Sequence, residues 1–86
     1  MKDVKNEETG NARKKRIAIL FGGCSTEYEV SLQSAHAVIE QIDTKRYERI
    51  LIGISRRSGQ WYLYEGNIVA IPEDRWLSDA ACTPVW

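Results

Sequence analysis

The stretch Ile17-Ala18-Ile19-Leu20-Phe21-Gly22-Gly23-Cys24-Ser25-Thr26-Glu27-Tyr28-Glu29-Val30-Ser31 decides the fold. Its first five residues are apolar with no polar alternation, the pattern of a strand buried on both faces, as in a parallel sheet. Gly22-Gly23 ends that strand. Thr26 followed three residues later by Glu29 matches a capping box and predicts a helix beginning near Glu27. Val30, Ala35, Val38, Ile39 and Ile42 then lie on a helical stripe, and the small Ser31, Ser34 and Ala35 let the helix approach a sheet closely. Asp43-Thr44-Lys45-Arg46 forms a return loop, and Tyr47 to Ser55 holds a second apolar run, Ile50-Leu51-Ile52-Gly53-Ile54. Strand, helix and strand over this length make a βαβ unit, whose crossover is expected to be right-handed.

Outward from this unit the pattern weakens. Ser58-Gly59 signals a turn and Trp61-Tyr62-Leu63-Tyr64 alternates as a short strand, which together read as a hairpin. Ile68 to Ile71 reads as another short strand, and Pro72 to Leu77 as a turn leading into one helical turn. Residues 1–13 are charged, polar and aperiodic, and read as a flexible leader. The 86 residues suffice for at most one small domain, and the 43% hydrophobic content is ordinary for a globular chain. With two or three strands and one helix, both faces of a sheet cannot be covered. The chain also ends inside the apolar phrase Pro84-Val85-Trp86. An incomplete domain of a longer protein is therefore expected, the other option being a small domain stabilised by a partner.

Composition removes several function classes. Twelve basic and twelve acidic residues leave no net charge, which gives no electrostatic reason for nucleic acid or an anionic membrane as partner. Two cysteines, Cys24 and Cys82, do not make a disulfide framework, and no apolar run approaches the roughly 18 residues of a membrane span. A reduced, cytoplasmic setting is expected.

The chemistry narrows by spacing. A dinucleotide site needs G-x-G-x-x-G and an acid at the end of the second strand. Here two glycines are adjacent, and the second strand runs into Ser55-Arg56-Arg57. No lysine follows the glycines as a phosphate loop requires. Cys24 as nucleophile would need a base, and the single histidine, His36, lies about 13–14 Å up a helix starting at Glu27. One histidine and two distant cysteines do not form a metal cluster. Trp61, Tyr62 and Tyr64 near Arg56 and Arg57 suit a covered sheet edge better than stacked bases. Glu27 keeps two readings. As a first-turn acid it complements the helix dipole, worth a few tenths of a kcal/mol. Projecting past the carboxyl end of a strand, it would instead accept hydrogen bonds from a cationic group such as a substrate ammonium.

The residues from Ile17 to Leu32 resemble the amino-terminal signature of D-alanine–D-alanine ligases: strand, Gly-Gly, a small residue, Ser, any residue, Glu, any residue, an acid or small residue, Val-Ser. Ile52-Gly53-Ile54 and Trp61 to Asn67 continue the likeness. Trp61-Tyr62, Tyr64-Glu65-Gly66 and Asp74-Arg75-Trp76 resemble the vancomycin-resistance branch, which includes D-alanine–D-serine ligases. The resemblance covers about residues 14–86. It implies a Rossmann-like α/β fold, the pre-ATP-grasp substrate domain, here truncated. It implies an ATP-grasp ligase of peptidoglycan precursor synthesis that uses ATP with magnesium or manganese. Such a ligase joins D-alanine to a second D-amino acid, and it forms a homodimer. The family's glutamate that orients the first D-amino acid maps onto Glu27; Cys24 falls on a variable position. The segments that hold ATP and metal in the family have no counterpart in these 86 residues. The isolated chain is therefore expected to be inactive and to bind neither. A non-catalytic α/β binding or dimerisation module is the alternative.

Overall fold

The computed structural model describes residues 14–78 and 81–85, so the leader read into residues 1–13 lies outside the described residues. The elements are β1 (Lys15–Gly22), α1 (Tyr28–Gln41), β2 (Tyr47–Ile54), β3 (Trp61–Tyr64), a 3-10 turn (Ile68–Ala70) and β4 (Cys82–Val85). The sheet order is β1-β2-β3-β4. β1 and β2 pair in parallel from Lys15 opposite Tyr47 to Gly22 opposite Ile54, joined by α1 as the βαβ unit requires. β3 folds back antiparallel on β2, with Leu51 opposite Tyr64 and Ile54 opposite Trp61, which is the expected hairpin. β4 adds antiparallel to β3, with Tyr64 opposite Cys82. The α/β class stands, in a mixed sheet with one parallel pair.

Four local expectations change. β1 is not buried on both faces. Ile19 and Phe21 are buried under α1, while Ala18 and Leu20 on the other face are exposed, Leu20 to 47%. A single helix covers only one face, and the opposite face also shows Trp61, with Ile50, Ile52, Ile54 and Leu63 half-covered. The buried helical stripe is Tyr28, Leu32, Ala35 and Ile39. Val30 and Val38, at about 200° and 280° from Tyr28 around the helix, point to solvent. Ile68 to Ala70 curls into a 3-10 turn because the Asn67 side chain accepts from the Val69 amide (2.9 Å). Residues 72–77 form turns without a helix, and the unforeseen β4 follows them. Pro84 in β4 is tolerated because β4 is an edge strand among the described residues.

The core gathers on Trp76. It is fully buried, with Phe21 at 5.0 Å, Tyr64 at 6.2 Å and Tyr62 at 6.3 Å between ring centroids, all edge-to-face. Edge-to-face aromatic pairs each add roughly 0.5–1.5 kcal/mol beyond the area they bury. Phe21 and Trp76 belong to the same buried cluster as Leu32 and Ile39 of α1. The loop after the 3-10 turn thus closes the helix-covered face of the sheet.

Gly22 shows how tightly β1 turns into the next segment. Its φ is +89°, and a Cβ there would run into the Ile54 carbonyl oxygen and meet the Tyr28 ring at 3.3 Å. Gly22→Ala combines left-handed strain with a backbone clash, for an expected loss of about 3 kcal/mol. Urea unfolding of the chain checks this: the midpoint falls with an unchanged slope.

Candidate functional site

The junction between β1 and α1 is built from backbone outward. Gly22 and Gly23 both take positive φ, and the Gly23 amide donates to the Ile54 carbonyl at 3.0 Å, binding the exit of β1 to the end of β2. The Gly22 amide donates to the Ser31 hydroxyl at 3.0 Å, so α1 is fastened to the strand end one turn into the helix. Ser31 therefore does more than leave room.

The expected capping box does not form. Residues 25–27 make a tight turn in which the Ser25 hydroxyl accepts from the Glu27 amide (3.0 Å) and the Ser25 carbonyl from the Tyr28 amide (3.2 Å). This moves the helix start one residue on. Glu27 becomes the cap residue with no side-chain cap bond, and Thr26 is displaced from the position a capping box needs. The Glu27 carbonyl accepts the first helical bond, from Ser31 at 2.8 Å. Glu27 itself is exposed, at the carboxyl end of the parallel pair. Among the described residues no hydrogen bond or ion pair engages its carboxylate.

The residue after it is held from several sides. Tyr28 is buried; its hydroxyl donates to Asp74 Oδ1 at 2.6 Å and accepts from Trp76 Nε1 at 3.1 Å. The Arg56 guanidinium lies 5.0 Å from the centre of the Tyr28 ring, a cation–π contact. Burial, and secondly the hydrogen bond to Asp74, push the Tyr28 phenol up to about 12. The protonated form is thus favoured by folding. Its contribution is fully present below the ordinary tyrosine value of about 10 and disappears as pH rises through about 12. Chemical denaturation across that window should show falling stability, and Tyr28→Phe should reduce the slope.

Beside Tyr28 an open groove of about 570 Å³ is lined by Tyr28, Ser55, Arg56, Arg57, Asp74, Leu77 and Ser78. A second, of about 450 Å³, runs past Glu29, Gln33 and Glu73. Glu27 lines neither of these two. The Ser55 side chain organises the first wall, accepting from the Arg57 amide at 3.2 Å and the Ser58 amide at 3.3 Å.

The other candidates separate. The Cys24 thiol donates to the Ser55 carbonyl at 3.5 Å, whereas His36 Nδ1 lies 3.7 Å from Glu40 on the helix. Among the described residues no three His, Cys, Asp or Glu side chains converge to hold a metal ion. Among them also, no helix is long and apolar enough to cross a membrane. Spacing missed Ser31, Tyr28 and Asp74. The only cue in the sequence was an aromatic at the second position after Thr26, which reads equally well as core.

A β1–α1 junction closed by paired glycines, with an exposed carboxylate at the mouth of a parallel strand pair, belongs to an open-sheet α/β domain, the class in which ligands bind beyond the carboxyl ends of strands. Residues 16–82 match the family described as D-ala D-ala ligase N-terminus. A D-alanine–D-alanine ligase from Thermoanaerobacter sp. (strain X514) is 48% identical over 63 residues, covering 73% of this chain and 17% of that protein. The vancomycin C-type resistance protein VanC1 of Enterococcus gallinarum is 51% identical over 65 residues, covering 76% and 19%. The crystal structure of VanG D-Ala:D-Ser ligase from Enterococcus faecalis superposes with a TM-score of 0.83 at 51% identity, covering 86% of this chain and 22% of that one. The chain belongs to the D-alanine–D-alanine ligase amino-terminal family. It spans about a fifth of the length of these relatives, as the 17%, 19% and 22% coverages give. A D-alanine–D-alanine ligase and a protein named for vancomycin resistance match it at similar identity, 48% and 51%.

Proposed function

We propose that this chain is the amino-terminal substrate domain of an ATP-dependent ligase of peptidoglycan precursor synthesis, joining D-alanine to D-alanine or D-serine. The observation that carries the reading is Glu27, an exposed carboxylate at the carboxyl end of the parallel pair, inside the family's Gly-Gly-to-Val-Ser motif. In this reading Glu27 accepts hydrogen bonds from the ammonium of the first D-alanine and so fixes where its carboxylate points. That carboxylate takes the terminal phosphoryl group of ATP. The amine of the second D-amino acid then displaces phosphate to form the amide. Orientation is the protein's main contribution to such a reaction. ATP and magnesium or manganese are held by other segments of the ligase. The assembled protein works in the cytoplasm as a homodimer.

The test is phosphate release from ATP that depends on D-alanine. The full ligase carrying this chain releases phosphate, and the isolated 86 residues do not. Glu27→Gln removes a charge-assisted bond worth roughly 1.5–3 kcal/mol, so the Michaelis constant for the first D-alanine should rise about ten- to a hundredfold. No D-alanine-dependent release by the full ligase would overturn the reaction. An unchanged first-site constant in Glu27→Gln would overturn the residue's role. A non-catalytic dimerisation module is the competing reading, favoured by the uncovered apolar face with Leu20 and Trp61 exposed; an inactive full protein that sediments as a stable dimer would support it.

A further inference from the structure

The geometry points to Tyr28 as the positioning residue for Glu27, with Asp74 as the group that sets Tyr28; the inference rests on the reading of Glu27 as the ammonium anchor. Glu27 is exposed and sits at the helix boundary; its own turn holds its backbone through Ser25 and Ser31, but no cap bond holds its side chain. The next residue is the opposite case. The Tyr28 hydroxyl is bonded to Asp74 and Trp76, 46 and 48 residues away in sequence, and its ring lies beneath Arg56 and against Gly22. The end of β1, the loop after β2 and the turn before β4 all meet on that one side chain. Glu27 is the cap residue joined to Tyr28 through one rigid peptide plane at the start of α1. A pinned Tyr28 therefore fixes both the rotation of the first turn and the direction in which Glu27 leaves it.

Asp74 is built for the task. It is the one described non-glycine residue with positive φ, +58°. The left-handed conformation costs most side chains roughly 1–2 kcal/mol and is tolerated by Asp. The turn is closed by the Asp74 amide donating to the Ile71 carbonyl (3.0 Å) and the Arg75 amide donating to the Ala70 carbonyl (2.9 Å). It aims the carboxylate back at the helix start, where it receives the short 2.6 Å bond. The turn and the hydroxyl bond together join the segment before β4 to the first residue of α1.

The experiment uses the full ligase carrying this chain and reads the Michaelis constants for the first and second amino acids and for ATP separately. Tyr28→Phe keeps the buried ring and removes the hydroxyl. The expected result is a rise of about three- to tenfold in the first-site constant, with the other two constants and kcat within twofold. Asp74→Ala should do the same, and Asp74→Asn, which retains an acceptor oxygen, should recover most of that loss. Because Asp74 lies outside the helix, this pair keeps the test open if Tyr28→Phe fails to fold. In a Glu27→Gln background, Tyr28→Phe should add nothing further, because the hydroxyl acts through Glu27. A lower melting temperature with all three constants unchanged overturns the inference, as does a full additional loss in the Glu27→Gln background. A first-site constant that Glu27→Gln leaves unchanged instead overturns the anchor reading itself, so the two failures are distinguishable.

Discussion

Replacing Trp76 with alanine in the 86-residue chain is expected to abolish cooperative unfolding. Trp76 is fully buried and meets Phe21, Tyr62 and Tyr64 edge to face. Truncating a buried tryptophan costs roughly 3–5 kcal/mol. A chain of this length has a total stability of about 4–13 kcal/mol at roughly 0.05–0.15 kcal/mol per residue, and its small size places it toward the lower end. Removal of the indole also takes away the donor to the Tyr28 hydroxyl. The expected readout is loss of the near-ultraviolet circular dichroism signal and of a sigmoidal thermal transition. A variant that still melts cooperatively within a few degrees of the parent would show that the aromatic cluster is peripheral to stability.

The second large effect is at Gly53. It lies in the middle of β2, and a Cβ there would come within 2.6 Å of Trp76 Cη2 and 2.8 Å of Cε3. Neither side can yield cheaply, since the strand is paired on both edges and the ring is enclosed. Gly53→Ala should cost about 2–4 kcal/mol in urea unfolding, at or above the usual range for overpacking a core. The collision is specific to the indole. Combined with Trp76→Leu, the Gly53→Ala change should cost much less, and the double-mutant cycle should give a coupling of about 1–3 kcal/mol of favourable sign. Simple additivity would place the ring and the glycine out of contact.

These two predictions concern residues that sequence reasoning placed without recognising their relation. Gly53 read as one member of an apolar strand, and Trp76 as part of a turn leading to a helix. Their contact crosses the sheet from β2 to the loop before β4, and no local periodicity carries such information. The same holds for β4. Cys82-Thr83-Pro84-Val85 is short and contains a proline, and it becomes a strand because the β3 edge is open for pairing. The helical stripe held at Ala35, Ile39 and Ile42 but not at Val30 and Val38, for a related cause. Val30 and Val38 are apolar at helical spacing, but the buried face is chosen by Tyr28, which points inward to Asp74 and Trp76. The capping box failed for a nearer reason: the turn through Ser25 shifts the helix start by one residue, and a cap signature has no tolerance for such a shift.

The candidate site divides along the same line. Glu27 was legible because the run of apolar residues, the paired glycines and the acid are adjacent in the chain, and strand-to-helix junctions impose their geometry locally. Its neighbour's grip was not, because Tyr28 and Asp74 are 46 residues apart. By itself the sequence determined the βαβ unit, the hairpin, the family resemblance and the place of Glu27 at the mouth of the parallel pair, each read from a local pattern of a few residues or one helical repeat. Only the tertiary structure decided which helix face is buried, that the sheet gains a fourth strand, and that Trp76 and Asp74 close over Tyr28. Those outcomes depend on packing and hydrogen bonds between distant segments, whose energies exist only once the segments have met.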